Sequence, residues 1–578
     1  MKIKHLFGLA VIAAMTASCS SNEDLGTAGP GTGTNEAGVG YATFTINLPS
    51  VSGTRAVDAG GAEVDPGTED EYKVANATAL IFQKYGADEG SYKFVESVDL
   101  PDANVAWNDD TEEGVTKSKK LVAKLTNVDT KNTYGVLVLL NNKTASGDVK
   151  IKLPTAGQSY NDWNNTAQTP NVTDLAEANK FYMANAPLNG SGSPTTLVTI
   201  DKNNIYATPA EAESGTNVAN VYVERGVAKM SVAAPGTITV KDKANPTITT
   251  KSEVTFSNWA LDITNQKTYA VHNIDGLSTD FSAIWTTDRF TGINKRVYWG
   301  KDPNYDKTEL KDADDTGDTE RGKEFNFIKA TSEINKAFTE SAYCLENTFN
   351  LANMYQGQTT RVIFKATYAP KDNAGNSLAD VADGTFYTIG NMTTILNTDK
   401  LKDAVNAVAT PVLPTGYTID YTNFKTKEGS HVITLADIKD ATGAALVAGG
   451  VYSGKTGTQI VDDINAKLGL KAGRPEEMVG INTYLEGATY YIARVKHFGS
   501  LTPWNSGESY GTDNATYLGR YGMLRNNWYE LQVGNVYGPG YPGVPPVDPN
   551  QPDDENEKYL SVSVKILSWA KRSDKVDL

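Results

Sequence analysis

Residues 449–456, GGVYSGKT, put two glycines, a lysine and a threonine at the spacing of a phosphate-binding loop. In such a loop backbone N–H groups cradle phosphate oxygens, the lysine neutralises them and the hydroxyl holds magnesium. That chemistry also needs a buried parallel strand feeding the loop and an acidic residue closing a second apolar strand. Neither pattern is present, so the stretch reads as a glycine-rich loop between elements. Asp312, Asp314 and Asp318 in KDADDTGDTE echo a calcium loop, but its twelfth position is Lys323, where a bidentate glutamate is required. His5, His272, His431 and His497 fall at no zinc spacing. Tyr484, Tyr490, Tyr491 and Trp504 suit either sugar stacking or the packing of a β-sandwich. No motif sets a nucleophile beside a base and an orienting group, so the chain reads as non-enzymatic, with no cofactor, no metal and no catalytic residue.

Two other residues have chemistry of a different kind, processing of the chain itself. Lys2 and Lys4 precede an apolar run over 6–15, followed by Thr16, Ala17, Ser18 and Cys19, the layout of an export signal too short to anchor in a bilayer. The small residues before Cys19 resemble a lipobox, in which the cysteine becomes the acylated first residue, although Thr16 stands where leucine is usual. The other reading is a plain secretory signal with an incidental cysteine. Ser20, Ser21, Asn22, Glu23 and Asp24 then resemble the sorting signal of surface-exposed Bacteroidetes lipoproteins. Arg55 lies in a small, polar loop, and no further basic residue occurs until Lys73. It is either a protease site or an exposed arginine with no role. The only other cysteine is Cys344, so acylation of Cys19 leaves no intrachain disulfide.

The elements that carry these residues are strands. A chain of 578 residues holds two or three folded units. With 39% hydrophobic and 21% charged residues it reads as a globular β protein, and its net charge of -16 excludes nucleic acid as a partner. A polar tether over 20–40 leads into 41–48, where Ala42, Phe44, Ile46 and Leu48 alternate with Thr43, Thr45 and Asn47, predicting a half-buried strand. Strands are predicted over 77–82, 120–125, 134–140, 253–264, 360–369, 488–495 and 528–536, and one long strand over 221–232. Helical patterns occur near 174–182, 401–407 and 459–468. The expected organisation is a signal over 1–18, a lipidated tether and removable first strand over 19–55, and β-sandwiches over 56–235 and 236–537. A proline-rich linker with a terminal strand follows over 538–578. In that last strand Leu560, Val562, Val564 and Ile566 alternate with Ser561, Ser563 and Lys565, the binary pattern of 41–48 again.

Either strand could fill one gap in a sheet, and only one at a time. A cut at Arg55 would free the first strand and leave an open edge, which the last strand of another copy, held out on its linker, could occupy by main-chain hydrogen bonds. Such head-to-tail contacts do not close, so they grow a filament. The alternative is that the last strand pairs permanently within its own second unit.

The chain resembles the major fimbrial subunits of Bacteroidetes type V pili, in the minor-fimbria fimbrillin branch. The resemblance rests on the lipoprotein start, the strand before Arg55-Ala56, the strings VERGVAKMSV and YCLENT, the proline-rich linker and the ending YLSVSVKILSWAKRSDKVDL. It implies a mostly β fold of two transthyretin-like β-sandwich domains in tandem with a few short helices, plus a C-terminal donor strand. It also implies a precursor lipid-anchored in the outer membrane and Arg-specific cleavage between Arg55 and Ala56. Ala42, Phe44, Ile46 and Leu48 would leave, and Leu560, Val562, Val564 and Ile566 would replace them. The implied partners are other copies, accessory tip and anchor pilus proteins and the protease; the implied role is adhesion and biofilm formation. A non-polymerising surface lipoprotein that binds glycans or host proteins is the competing reading.

Overall fold

The computed structural model describes residues 33–35, 37–49, 67–109, 115–189, 194–282, 296–310, 319–497, 518–553 and 560–568, the last as backbone. The chain is mostly β, with short helices. Its first sheet is built from β1 (Gly40–Pro49), β2 (Ala77–Gln83), β3 (Lys93–Asp99), β4 (Val115–Leu125), β5 (Tyr134–Leu140), β6 (Met183–Asn185) and β7 (Ala219–Arg225). The spatial order is β3-β2-β5-β6-β7-β1-β4, extended by short pieces at Asn108–Asp109, Val198–Ile200 and Ile205–Tyr206. β7 belongs to two layers: Ala219 to Tyr222 pair with β1, while Val223 to Arg225 pair with β6. The layers share one core, in which Phe44 and Ile46 meet residues such as Phe82, Val136 and Val138.

The predicted strand over 221–232 is broken in two. β7 ends at Arg225 and β8 runs over Ala228–Val232. The break falls where Gly226 packs on the ring of Tyr182; a Cβ there would lie 2.6 Å from Tyr182 Cδ1. The core changes at the same point, Val227 belonging to the first cluster and Ala228 to the second.

The second unit stacks two four-stranded sheets, a β-sandwich. With β9 (Thr237–Lys241), β10 (Thr249–Asp262), β11 (Ala342–Cys344), β12 (Arg361–Ala369), β13 (Ala488–Arg494), β14 (Asn527–Val536) and β15 (Leu560–Ser568), the orders are β11-β8-β14-β15 and β9-β10-β12-β13. Met230, Tyr529 and Leu531 from one sheet pack with Phe256, Trp259, Phe364 and Tyr491 from the other. Between β12 and β13 the chain builds a three-stranded sheet of Phe386–Ile389, Ile481–Tyr484 and Gly429–His431, with helices α1 (Thr398–Ala409) and α2 (Gly457–Lys467). α1 is capped by Asn397 and buries Leu401, Val405 and Ala409, one side chain per turn of one face. The helix predicted near 174–182 is only the turn Val172–Leu175, because the chain must straighten to enter β6 at Met183.

Candidate functional site

β1 lies in a channel between β4, antiparallel, and β7, parallel. Ala42, Phe44 and Ile46 have no exposed surface, and Leu48 has 1%. The predicted half-buried strand is in fact covered on both faces. Tyr41, Thr43 and Asn47 are buried too, and Tyr206 with Ala212 of the helix Pro209–Ser214 covers Tyr41 and Thr43 on what reads as a solvent side. The Thr43 hydroxyl is satisfied there, donating to the Ala212 carbonyl at 2.5 Å, whereas Asn47 Nδ2 has no hydrogen-bond partner. At about 1.5 to 3 kcal/mol per apolar side chain, seating the four inward residues is worth on the order of 6 to 12 kcal/mol before ordering costs. Pro49 ends the strand, its carbonyl accepting from the Thr116 hydroxyl at 2.8 Å.

β15 lies at the edge of its sheet, antiparallel to β14 of the same chain. Leu560, Val562, Val564 and Ile566 stand opposite Val536, Val533, Leu531 and Tyr529, all buried positions of β14. The register thus sets positions 560, 562, 564 and 566 opposite buried residues of β14.

The linker expected to hold this strand out instead lies along the second unit from Gly538 to Asp553. Tyr491 donates to the Gly538 carbonyl at 2.8 Å and Tyr484 to that of Gly540 at 3.0 Å, and Tyr541 exchanges backbone bonds with Tyr490. Arg361, ion-paired with buried Asp262 at 2.8 Å, donates to the carbonyls of Pro545 and Pro546 at 2.6 and 3.0 Å. Pro549 packs on Gly357, and Asp553, wholly buried, accepts from the Thr359 hydroxyl at 3.1 Å. Prolines cannot donate to a ladder, but their carbonyls still accept, and this surface is built to use them. The tyrosines read from sequence as sugar-stacking or packing residues are thus buried, two of them holding the linker through their hydroxyls and Tyr490 through its backbone; Trp504 lies outside the described residues.

Cys19, Arg55 and Ala56 also lie outside the described residues, as do Asp312, Asp314 and Asp318. The GGVYSGKT stretch is a small hairpin, Val451–Tyr452 against Lys455–Thr456, with Ser453 and Gly454 at positive φ. Thr456 caps α2 by accepting from Gln459 N, and Lys455 pairs with Asp463. A hairpin in front of a helix already capped by its own threonine has no phosphate cradle. Among the described residues no group of three or more His, Cys, Asp or Glu could hold a metal.

Sequence reading missed a buried polar seam joining the two units. Lys229 lies 2.6 Å from Glu71, which also accepts from the Tyr343 hydroxyl at 2.7 Å, while Arg225 Nε donates to the Glu71 carbonyl at 2.8 Å. Nearby, His272 Nδ1 meets Glu224 at 2.8 Å, and Arg525 donates to Glu346 at 3.1 Å. Burial alone would push the His272 pKa down, but the carboxylates of Glu224 and Glu346 hold it above the ordinary histidine value. The signal was visible: Glu224, Arg225 and Lys229 are charges inside an apolar run, and such charges persist in a core only when paired.

Residues 482–575 match the family model of the major fimbrial subunit protein type IV, fimbrillin, C-terminal. The C-terminal region is thus similar to that of the fimbrillins. The match covers β13, β14, the docked linker and β15, and it supports a structural fimbrial subunit rather than an enzyme. Among solved structures, a fimbrial assembly protein from Parabacteroides distasonis aligns at 13% identity and a TM-score of 0.28, over 62% of this chain and 94% of that one. No curated protein matches.

Proposed function

We propose that this fimbrial subunit is exported as a lipoprotein acylated at Cys19 and held in the outer membrane until an arginine-specific protease cuts between Arg55 and Ala56. β1 then leaves its channel, and the last strand of another copy enters it with Leu560, Val562, Val564 and Ile566. Head-to-tail repetition gives the fimbria, with accessory tip and anchor proteins at its ends and adhesion and biofilm formation as its role. What supports this reading is the position of β1. It is an inner strand with four apolar side chains in the core, yet a single cut in the stretch 50–66 would sever it from every other strand described. Its departure would open two ladder edges and an apolar trough together, a strong recruiter of another strand. In this reading the pairing of β15 with β14 is the resting position of a strand not yet donated.

The test is treatment of lipid-free protein with an arginine-specific protease, followed by intact mass and negative-stain microscopy, beside Arg55→Ala and a deletion of residues 559–578. Loss of the segment ending at Arg55, with filaments only in the unaltered protein, is expected. Stable uncut monomers that bind a glycan or host protein would replace this reading with that of a non-polymerising surface lipoprotein.

A further inference from the structure

Arginine and lysine bring the same charge to a protein surface, yet this chain does not use them alike. It has 42 lysines and 11 arginines, of which Arg55, Arg289 and Arg572 lie outside the described residues. Of the eight described arginines seven are buried, from Arg225 and Arg321 with no exposed surface to Arg296 at 8%. Of the described lysines only Lys150 and Lys229 are buried. The exception among the arginines is Arg474, which is exposed and is followed by Pro475. We infer that the folded subunit withholds arginine from its surface and thereby resists the arginine-specific protease that matures it, so that no described arginine is a cleavage site. This rests on the proposed cleavage at Arg55.

A protease of this kind takes its substrate as an extended strand, with the backbone hydrogen-bonded along the cleft and the guanidinium in a pocket. The substrate must therefore lend it several residues of free backbone. Arg225, Arg361 and Arg494 do not, because each already sits in a ladder, Arg225 opposite Met183 and Arg361 opposite Arg494. Side chains are engaged as well. Arg225 donates to the Glu71 carbonyl at 2.8 Å, and Arg361 is paired with Asp262 at 2.8 Å. Arg525 reaches Glu346 at 3.1 Å, and Arg321 donates to the Gly357 carbonyl at 3.1 Å. Presenting any of these to a pocket breaks a buried ion pair or hydrogen bond and opens the core around it.

The fit of the guanidinium fork to buried pairs accounts for the seven. It does not account for the surface, where either residue would serve for solubility and the chain uses lysine. The loop 242–249, between β9 and β10, is exposed throughout and carries Lys243. The stretch 471–475 is exposed throughout and carries both Lys471 and Arg474. There the lysine precedes Ala472, but the arginine precedes proline. A proline nitrogen has no hydrogen and its ring fixes φ, so an Arg–Pro bond sits poorly in a cleft that must also hold the residue after the cut. Arg474 is further tied to Glu476 at 3.0 Å and to Glu477 at 2.9 Å. The one exposed arginine among the described residues thus stands at a bond such an enzyme does not take.

The test is digestion of folded, lipid-free protein by an arginine-specific protease and, in parallel, by a lysine-specific one, with fragment termini read by mass spectrometry. The arginine enzyme is expected to leave no terminus after any of the eight described arginines, while the lysine enzyme cuts after Lys243 or Lys471. Lys243→Arg and Pro475→Ala, each checked for a parent-like thermal midpoint, should gain arginine-specific cuts after residues 243 and 474. Those cuts should run about ten-fold or more faster than any cut after a described arginine in the parent. A prompt cut of the folded parent after a described arginine overturns the inference, as does a lysine enzyme that also leaves the fold whole, or a pair of variants that both stay uncut. Protein that is not cut at Arg55, but whose two variants are cut, loses the maturation reading and keeps the shielding.

Discussion

Phe44 is the largest fully buried side chain of a strand that maturation would discard, so replacing it separates the precursor from the filament. In the uncut protein the ring is fully buried in the first core, where Phe→Ala changes cost about 3 to 5 kcal/mol. At urea sensitivities of about 1 to 3 kcal/mol per molar, Phe44→Ala moves the unfolding midpoint of the precursor's first unit down by on the order of 1 to 5 M. After cleavage residue 44 is gone and the seat is filled by Val562 of a neighbour, so filaments assembled from mutant and parent subunits have the same composition. Their resistance to urea or heat, followed by light scattering or microscopy, should coincide. A precursor with unchanged stability would contradict the burial of β1, and filaments weakened as much as the precursor would show that β1 is never displaced.

Three further outcomes are expected. Asp262→Ala leaves Arg361 buried without its carboxylate and should destabilise the second unit by about 3 to 5 kcal/mol, while hydrogen exchange quickens along residues 538–553. His272 has a folded pKa raised above its unfolded value. Its contribution is therefore complete below about pH 6.5 and lost as pH rises through the folded value. Midpoints measured from pH 5.5 to 8.5 should fall with pH in the parent and flatten in His272→Gln. Thr456→Ala should cost about 1 kcal/mol as the loss of a helix cap, and Lys455→Ala should change no nucleotide affinity by equilibrium dialysis, because none is expected in either protein.

Strand positions were legible wherever β-branched and aromatic residues ran unbroken between polar loops: β5 falls on its predicted bounds, and β12, β13 and β14 within a residue or so. Three features were not legible, each for a physical reason. Thr43 and Asn47 have the polarity of a water face, and only the fold reveals that both are buried, Thr43 beneath the helix Pro209–Ser214. The apolar alternation of 221–232 continues without a break across Gly226, so nothing local announces that the chain changes core there. Prolines and glycines show that 538–553 cannot join a sheet, but not that its free carbonyls meet Arg361, Tyr484 and Tyr491. Of the candidate site, the two exchangeable strands could be read directly, since their alternation is a property of sequence; their partners could not, since pairing is set by strands elsewhere in the chain, β4 and β7 for β1 and β14 for β15.

The docking of the linker bears on how such a filament would respond to force. If tension enters a subunit through its donated strand, the first described point of attachment it meets is Asp553 and Thr359, and the load then spreads over Gly357 and the Arg361–Asp262 pair. Only the six residues 554–559 separate this anchorage from β15. Fully extended they reach about 20 Å, so neighbouring subunits would be coupled at short range and the shaft would bend as a stiff jointed rod, not hang as beads on slack tethers. Extensibility would then come from peeling the docked prolines off their surface one carbonyl at a time, a yielding step before any strand is lost.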